Sequence, residues 1–147
     1  MQNQALTDQF SELCKKSGLK ITPQRCAVYG HLMTSRNHPT AVEVYRTVRG
    51  RFPNISYDTV NRTLLTFAEI GLVDILQTKG GPRRFDPVMD NHHHFYCVDC
   101  GKIIDFTSQH YEDLKIPDRI RAECTVFTQR VVLNGLCPRC RKKKRTP

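Results

Sequence analysis

The chain contains 147 residues, with 23 Lys and Arg against 14 Asp and Glu, and its formal net charge is +9. This length allows one domain or two small ones, and such domains have thin cores unless a bound metal or another cross-link supports them. The positive charge favours a polyanionic partner, nucleic acid before an anionic membrane surface. Because the sequence has no apolar run of membrane-spanning length and a polar start without a signal-peptide core, we expect a cytoplasmic protein with no membrane partner.

Three helices are predicted in the first third of the chain. Apolar residues recur at helical spacing in each, Gly18 follows the first as a C-cap, and Thr22 precedes Pro23 as the N-cap of the second. In the third, Thr40 and Glu43 have the spacing of a capping box. The expected bounds are Thr7–Ser17, Pro23 to about Ser35, and Thr40 to the residue before Pro53.

A fourth helix is predicted from Tyr57 to Ile70, with Ser56 as its N-cap and Gly71 at its end. The apolar residues expected to face the core are Val60, Leu64, Phe67 and Ala68. The residues expected to face outward are small and polar with one arginine, namely Thr59, Asn61, Arg62, Thr63 and Thr66. Such a face can enter the major groove of DNA and offer donors to bases and phosphates, although a solvated helix surface has the same composition.

A β-hairpin is predicted directly after the fourth helix. Its strands are Leu72–Gln77 and Arg83–Asp86, and the turn at Thr78–Pro82 gives it a basic tip. Three helices, a candidate recognition helix and a basic hairpin make up a winged helix. We therefore predict a DNA-binding domain over residues 1–86.

Beyond Pro87 the spacing of apolar residues changes, and a small α/β domain is expected over residues 87–147, which makes the fold class α+β. The predicted strands are His92–Tyr96, Lys102–Phe106 and Thr125–Leu133. One weaker helix is expected within His110–Glu123, interrupted by Pro117. The basic end of the chain, residues 139–145, is interpreted as a tail that is either disordered or in contact with DNA.

Two Cys-x-x-Cys pairs predict a structural zinc site in this second domain. One pair can bind an ion from a tight turn, and two pairs complete a closed tetrahedral shell, whereas the alternative is a set of buried or reactive thiols. The predicted ligands are Cys97, Cys100, Cys137 and Cys140. The other cysteines, Cys14, Cys26 and Cys124, are expected to be reduced and mostly packing residues.

A second group of metal-binding side chains surrounds the first cysteine pair. In a strand, His92 and His94 share one face and His93 points to the other, while Asp86 lies upstream and Asp105 downstream. Imidazole and carboxylate together suit Mn(II), Fe(II), Ni(II) or Zn(II). The alternative is that the consecutive histidines are a solvated polar run.

The chain resembles the ferric uptake regulator superfamily over nearly its whole length. In chain order, the motifs that carry the resemblance are Gly18–Thr22, His38-Pro39-Thr40, Asp58-Thr59-Val60, Gly71-Leu72-Val73, Arg84-Phe85-Asp86, and the run from His92 through Cys97, Cys100 and Lys102 to Phe106. The resemblance implies a homodimeric, metal-activated, DNA-binding repressor with an N-terminal winged helix and a C-terminal dimerisation domain.

The resemblance also implies a regulatory Fe(II) or Mn(II) site that joins the two domains. Its ligands would be His38, Asp86, His92, His94 and Asp105. Aspartate at both 86 and 105 is similar to the PerR-type peroxide-sensing branch, in which Fe(II) reacts with peroxide, a ligand histidine is oxidised and DNA is released. An iron or manganese uptake regulator of the same family, without peroxide sensing, is the alternative.

Contacts to double-stranded DNA are expected from the recognition helix, the hairpin and one residue near the start of the chain. A two-fold dimer would read a pseudo-palindromic operator. The candidate residues are Lys20, Tyr57, Thr59, Asn61, Arg62, Lys79, Arg83 and Arg84.

The sequence departs from the family pattern at three positions. Asn61 stands where many members have tyrosine, which leaves the operator sequence open. Asn91 and Gln129 stand at ligand positions of an additional metal site of the iron-uptake branch, so a second regulatory site is not expected, although Glu112 could remain from it.

Two other classes of function fit the sequence less well. A metalloenzyme needs open coordination positions and a substrate pocket, and five protein ligands leave little room for a small organic substrate. A purely structural zinc ribbon would explain the cysteines but neither His38 with Asp86 nor the basic winged helix. We therefore predict a regulator rather than an enzyme.

Overall fold

The computed structural model describes residues 2–87 and 90–145, and the chain divides into two compact units, residues 1–89 and 90–147. The first unit contains α1 (Gln2–Lys16), α2 (Pro23–Thr34), α3 (Ala41–Arg51), α4 (Tyr57–Glu69), β1 (Asp74–Leu76) and β2 (Arg84–Asp86). The second contains β3 (His93–Cys97), β4 (Ile103–Phe106), α5 (Gln109–Glu112), α6 (Asp118–Glu123), β5 (Val132–Gly135) and α7 (Pro138–Arg145). Among the described residues, no helix has both the length and the apolar character needed to cross a membrane.

The first unit is built around one apolar core between its helices. Leu32, Val44, Leu64 and Phe67 are fully buried there, and the rings of Phe10 and Tyr29 stack with centroids 4.6 Å apart. The predicted bounds of α2, α3 and α4 are confirmed to within about a residue. Helix α1 begins earlier than predicted, at Gln2 instead of Thr7.

Side-chain caps explain where these helices begin. The Thr22 hydroxyl accepts a hydrogen bond from the backbone N–H of Arg25 at 3.3 Å. The predicted capping box is confirmed, since Thr40 Oγ1 accepts from the Glu43 N–H at 3.3 Å and Glu43 Oε2 accepts from the Thr40 N–H at 2.7 Å. These bonds satisfy backbone donors that a helix leaves free in its first turn.

Helix α4 buries the apolar face that the sequence predicts, but the assignment of one residue to its outer face was wrong. Val60, Leu64 and Phe67 are fully buried. Thr63 is also buried, because a residue three positions after Val60 lies on the same side of a helix. Its hydroxyl donates to the Thr59 carbonyl at 2.8 Å, which satisfies the buried polar group.

The predicted hairpin is present and gains a third backbone partner. Strands β1 and β2 pair antiparallel, with Ile75 opposite Phe85. On the other side of β2, the Phe85 N–H donates to the Pro39 carbonyl at 3.0 Å, and Thr40 forms a bridge with Arg84. The segment before α3 therefore lies against β2, and the helices with this hairpin form the winged helix that the sequence predicts.

The second unit is a small three-stranded sheet in the order β4-β3-β5 with short helices. Strand β3 pairs antiparallel with β4, which places His94 opposite Asp105, and it pairs parallel with β5. The predicted helix interrupted by Pro117 is present as the two short helices α5 and α6. The fold class, α+β with a winged helix followed by a small mixed domain, is confirmed.

Two expectations for the second unit were wrong. Only the end of the predicted strand Thr125–Leu133 belongs to β5, because the described sheet pairs β5 with His94–Cys97 and leaves residues 124–131 outside it. Phe127 in that segment is 90% exposed. The basic end is not a disordered tail over its described part, since residues 138–145 form α7, which starts inside the second cysteine pair.

Candidate metal centres and nucleic-acid interface

The four predicted zinc ligands lie together in the second unit. Their sulfur atoms are all within 4.8 Å of one another, and Cys97, Cys137 and Cys140 are buried while Cys100 is exposed. The first pair lies at the turn after β3, where the Gly101 N–H donates to the Cys97 carbonyl at 2.9 Å. The second pair lies at the start of α7. Two turns thus supply one thiol cluster of the size of a tetrahedral site.

Backbone N–H groups favour thiolate formation in this cluster. The N–H groups of Cys100 and then Cys137 lower the pKa of Cys97 to about 6, and the Cys137 N–H lies 3.3 Å from the Cys97 sulfur. The N–H of Cys140 lowers the pKa of Cys137. A hydrogen bond with Asp99 and then burial raise the pKa of Cys140. Deprotonation of Cys140 is therefore unfavourable without a metal. The charge of a divalent cation compensates this cost, so the donor set fits Zn(II).

A second group of donors lies on one face of β3 and its approach. The Nε2 atoms of His92 and His94 are 3.0 Å apart, and His94 Nε2 is 3.4 Å from a carboxylate oxygen of Asp105. The Asp90 carbonyl lies 2.7 Å from His92 Nδ1, and because a carbonyl can only accept, Nδ1 carries the proton. The lone pair of His92 is therefore on Nε2, where the donors of this face converge.

The remaining two candidate ligands lie in the first unit. His38 Nε2 is 3.7 Å from a carboxylate oxygen of Asp86, and both side chains are buried. His38 has φ of +49°, a left-handed backbone conformation that costs on the order of 1–3 kcal/mol for a residue other than glycine. Arg84 Nη1 donates to the carbonyls of His38 at 3.1 Å and Asn37 at 3.4 Å, and so holds this conformation.

His93 points away from His92 and His94, as the alternation of a strand predicts. The Val131 N–H donates to its Nδ1 at 3.2 Å, so Nε2 carries the proton. Nε2 is buried without a hydrogen-bond partner in the described part of the chain, and the ring lies 5.5 Å from the rings of Phe106 and Tyr111. The rings of His93 and Tyr111 are perpendicular, so the imidazole is enclosed by aromatic side chains. His93 is thus a packing residue rather than a member of the donor group on the other face of the strand.

The residues at the positions of the additional metal site, which the sequence does not predict in this chain, either bind backbone carbonyls or are exposed. Gln129 Nε2 donates to the carbonyls of Leu114 at 3.0 Å and Tyr111 at 3.5 Å. Asn91 and Glu112 are exposed. The amide at position 129 therefore ties its segment to the end of α5.

Most candidate DNA contacts are exposed on the winged helix. The exposed ones are Lys20, Tyr57, Thr59, Arg62, Lys79 and Arg83, and Asn61 is half-buried. Arg62 forms an ion pair with Asp58 at 2.9 Å. Arg84 differs from the rest, since it is largely buried and contacts Glu43 at 3.8 Å in addition to its two carbonyls.

The hairpin turn presents basic residues on its surface. Gly80 has φ of +74°, and a Cβ added to Gly81 would lie 2.5 Å from the Thr78 hydroxyl oxygen. That hydroxyl donates to the Pro82 carbonyl at 3.3 Å. Glycine at both positions lets the turn close tightly, with Lys79 and Arg83 on its surface.

Comparison with known proteins decides the family. The model of the ferric uptake regulator family matches residues 16–131. The chain belongs to this family. It is 40% identical over 136 residues to the peroxide operon regulator of Bacillus subtilis, which covers 90% of this chain and 92% of that protein. It is 38% identical over 132 residues to the peroxide-responsive repressor PerR of Staphylococcus epidermidis, covering 88% and 86% respectively.

Solved structures agree with the fold. The ferric uptake regulator Fur of Helicobacter pylori matches with a TM-score of 0.75 at 24% identity, over 94% of this chain and 93% of that one. PerR from Streptococcus pyogenes matches with a TM-score of 0.52 at 28% identity, over 90% of each chain. The family inferred from the sequence motifs is confirmed, and the chain is a regulator rather than an enzyme.

Proposed function

We propose that this chain is a metal-dependent, homodimeric, DNA-binding transcriptional repressor of the cytoplasm that senses peroxide. The observation that carries the proposal is the donor set of three histidines with Asp86 and Asp105, in a chain whose relatives are named as peroxide-responsive repressors. The winged helix and the charge of +9 support DNA as the partner.

Zinc is the proposed structural metal. Cys97, Cys100, Cys137 and Cys140 offer four sulfur donors and no side chain of another type, which suits a closed site. The metal would join the turn after β3 to the start of α7 and so stabilise a unit with few other buried apolar residues.

Fe(II) or Mn(II) is the proposed regulatory metal, with His38, Asp86, His92, His94 and Asp105 as its ligands. Imidazole nitrogen and carboxylate oxygen are donors that both ions accept. The first unit supplies a histidine and an aspartate, and the second supplies two histidines and an aspartate. A ligand set drawn from two units can favour one arrangement of them when it binds that arrangement more tightly.

Peroxide would act on the ligand imidazoles. When bound, Fe(II) would activate hydrogen peroxide: the O–O bond would break, one oxygen atom would be inserted into a ring C–H bond of His38, His92 or His94, and the other would leave as water. The oxidised ring is a weaker donor, so the ligand set loses one of its histidines. The arrangement of the units that binds DNA then loses its support.

The DNA contacts are proposed for three regions of the winged helix. Lys20 would contact the backbone or minor groove, and Arg62 on α4 would contact bases or phosphates. Lys79, Arg83 and Arg84 would contact phosphates. A two-fold dimer would place two α4 helices in major grooves about one helical turn, roughly 34 Å, apart and so read a pseudo-palindromic operator.

A second copy of the chain is the proposed partner of the C-terminal unit. Its exposed apolar residues include Phe127, which is 90% exposed, and Val132, which is 56% exposed. Exposed apolar side chains of this kind on a small unit are typical of a protein interface.

An iron or manganese uptake regulator without peroxide sensing is the second candidate. A zinc-bound manganese uptake regulator matches the chain with a TM-score of 0.64 at 28% identity, over 86% of this chain and 97% of that one. Such a regulator would use the same ligands without their oxidation.

Fluorescence anisotropy on an operator duplex separates these candidates. The duplex is selected from a random library by the Mn(II)-loaded protein, and binding is measured with Fe(II), Mn(II) or a chelator. We expect metal-dependent binding, with peroxide releasing the Fe(II)-loaded protein and leaving the Mn(II)-loaded protein bound. Retention of DNA by both forms would favour the uptake regulator, and binding that ignores metal would contradict both.

A further inference from the structure

A small groove lies between α4, the start of α3 and the hairpin, on the surface of the winged helix. Its volume is about 240 Å³, and its lining consists of Thr40, Ala41, Val42, Tyr57, Asn61, Pro82, Arg83 and Phe85. Tyr57 and Asn61 are four residues apart on α4, so they lie one above the other on the flank of the helix. The groove is therefore part of the surface that the recognition helix and the hairpin share.

The side-chain carboxamide of Asn61 is available to a ligand outside the protein. Asn61 is half-buried, yet its side chain makes no hydrogen bond or ion pair with any residue in the ranges 2–87 and 90–145. Arg62, the neighbouring residue, is instead paired with Asp58 at 2.9 Å, and its side chain is 78% exposed. A half-buried amide without a protein partner remains open to an outside ligand, which can replace its bound water with direct hydrogen bonds.

The groove around Asn61 has one amide, an apolar wall and a cation at its edge. Val42 is 43% exposed and Tyr57 is 44% exposed. Tyr57 is held in place by Tyr45, whose ring lies 5.9 Å away at a right angle. Arg83 is exposed at the hairpin side of the groove.

We propose that Asn61 reads an adenine in the operator, with the thymine methyl group of the same region packing on Val42 and Tyr57. An amide has one donor and one acceptor at the spacing of adenine N6 and N7, which a side chain can bind together in the major groove. The thymine methyl lies on the same groove edge, and apolar walls suit it. The cation of Arg83 then faces a phosphate at the groove margin. This inference rests on the proposed DNA-binding function and assigns the base that the recognition helix selects.

The test uses the full-length Mn(II)-loaded protein and the duplex it selects from a random library. Each adenine of a half-site is replaced in turn by 7-deazaadenine, which lacks the N7 acceptor, and each thymine by uracil, which lacks the methyl group. For the parent we expect one adenine in each half-site at which 7-deazaadenine weakens binding about fivefold to a hundredfold. Asn61→Ala is expected to bind the unmodified duplex more weakly by a similar factor and to lose the penalty at that adenine.

Asn61→Asp is the matched variant, because it keeps the size of the side chain and removes the donor. A carboxylate accepts from cytosine N4, so library selection with this variant should move the preference at that position from adenine to cytosine. The proposal is overturned if no adenine shows a penalty that depends on Asn61, or if Asn61→Asp selects the parental base. In those cases metal-dependent binding by the parent would still support the proposed repressor, whereas its absence would refute the repressor and the base assignment together.

Discussion

The guanidinium of Arg84 donates a hydrogen bond to the carbonyl of His38 at 3.1 Å, across 46 positions of sequence. His38 is a candidate metal ligand in a left-handed backbone conformation, and Arg84 belongs to the hairpin strand that also carries Asp86. Glu43, which completes the capping box of α3, lies 3.8 Å from the same guanidinium. One side chain thus connects the metal-binding loop, a helix start and the hairpin.

Removing this connection should weaken the regulatory site. Arg84→Ala loses charge-assisted hydrogen bonds worth about 1.5–3 kcal/mol, and the strained conformation of His38 is then no longer held. We expect Mn(II) affinity to fall by about tenfold or more, measured by calorimetry without DNA. Arg36→Ala, on an exposed arginine of the same region, is the control. Unchanged affinity in Arg84→Ala would show that His38 keeps its place without this bond.

Loss of one zinc ligand should unfold the C-terminal unit. Cys97→Ser removes a sulfur donor from the cluster, and because metal-binding free energy is folding free energy in small metal-stapled domains, we expect loss of zinc and of the soluble dimer. Zinc content and sedimentation measure both. Cys124→Ser, at an exposed cysteine outside the cluster, should keep the zinc and the dimer. A folded, zinc-free Cys97→Ser dimer would refute the structural role.

The hairpin should contribute affinity for DNA of any sequence, whereas the recognition helix should also contribute sequence specificity. Lys79→Ala removes a cation at the turn, so binding should weaken alike for all sequences, and the slope of log K against log salt should flatten by about 0.9 for each lost phosphate contact. Titrations of the selected duplex and a scrambled duplex at several salt concentrations measure this.

Arg62→Ala should also relax the choice of sequence if its guanidinium reaches a base edge. The ratio of affinities for the selected and scrambled duplexes measures this effect. Binding equal to the parent on both duplexes would remove Arg62 from the DNA contacts.

A substitution at Asp105 should change the response to peroxide while metal binding is kept. Asp105→Glu adds one methylene and changes how the carboxylate approaches the metal, while the carboxylate itself remains. We expect metal-dependent DNA binding to persist and release by peroxide with Fe(II) to slow, as measured by anisotropy against time. Release at the parental rate would show that carboxylate length at this position does not set the sensitivity.

Local signals in the sequence predicted the first unit well. Caps such as Thr22 and the Thr40 and Glu43 box are decided within one helical turn, so the starts of α2 and α3 could be predicted directly from the sequence. The cysteine cluster was also predictable, because a repeated pair spacing implies its own geometry. The opposite faces of His92 and His93 followed from strand alternation.

Features that depend on distant partners could not be predicted. The extent of β5 is set by its pairing with β3, so the apolar residues around Phe127 gave a false strand. The Arg84 contact with the His38 carbonyl joins strand β2 to the segment before α3 across 46 positions, so no local pattern in the sequence predicts it. Thr63 was predicted to lie on the surface because it is polar. Its hydroxyl donates to a carbonyl of the same helix, and this bond allows the side chain to be buried.

Peroxide sensing by the ligand histidines can be measured directly as a change in the mass of the protein after peroxide treatment. Fe(II)-loaded and Mn(II)-loaded samples are exposed to the same peroxide concentration, digested and mapped by tandem mass spectrometry. We predict the gain of one oxygen atom on His38, His92 or His94 with Fe(II), no gain with Mn(II), and an unmodified His93 in both. Iron-loaded protein that holds DNA through the challenge, with no oxygen on any histidine, would contradict it.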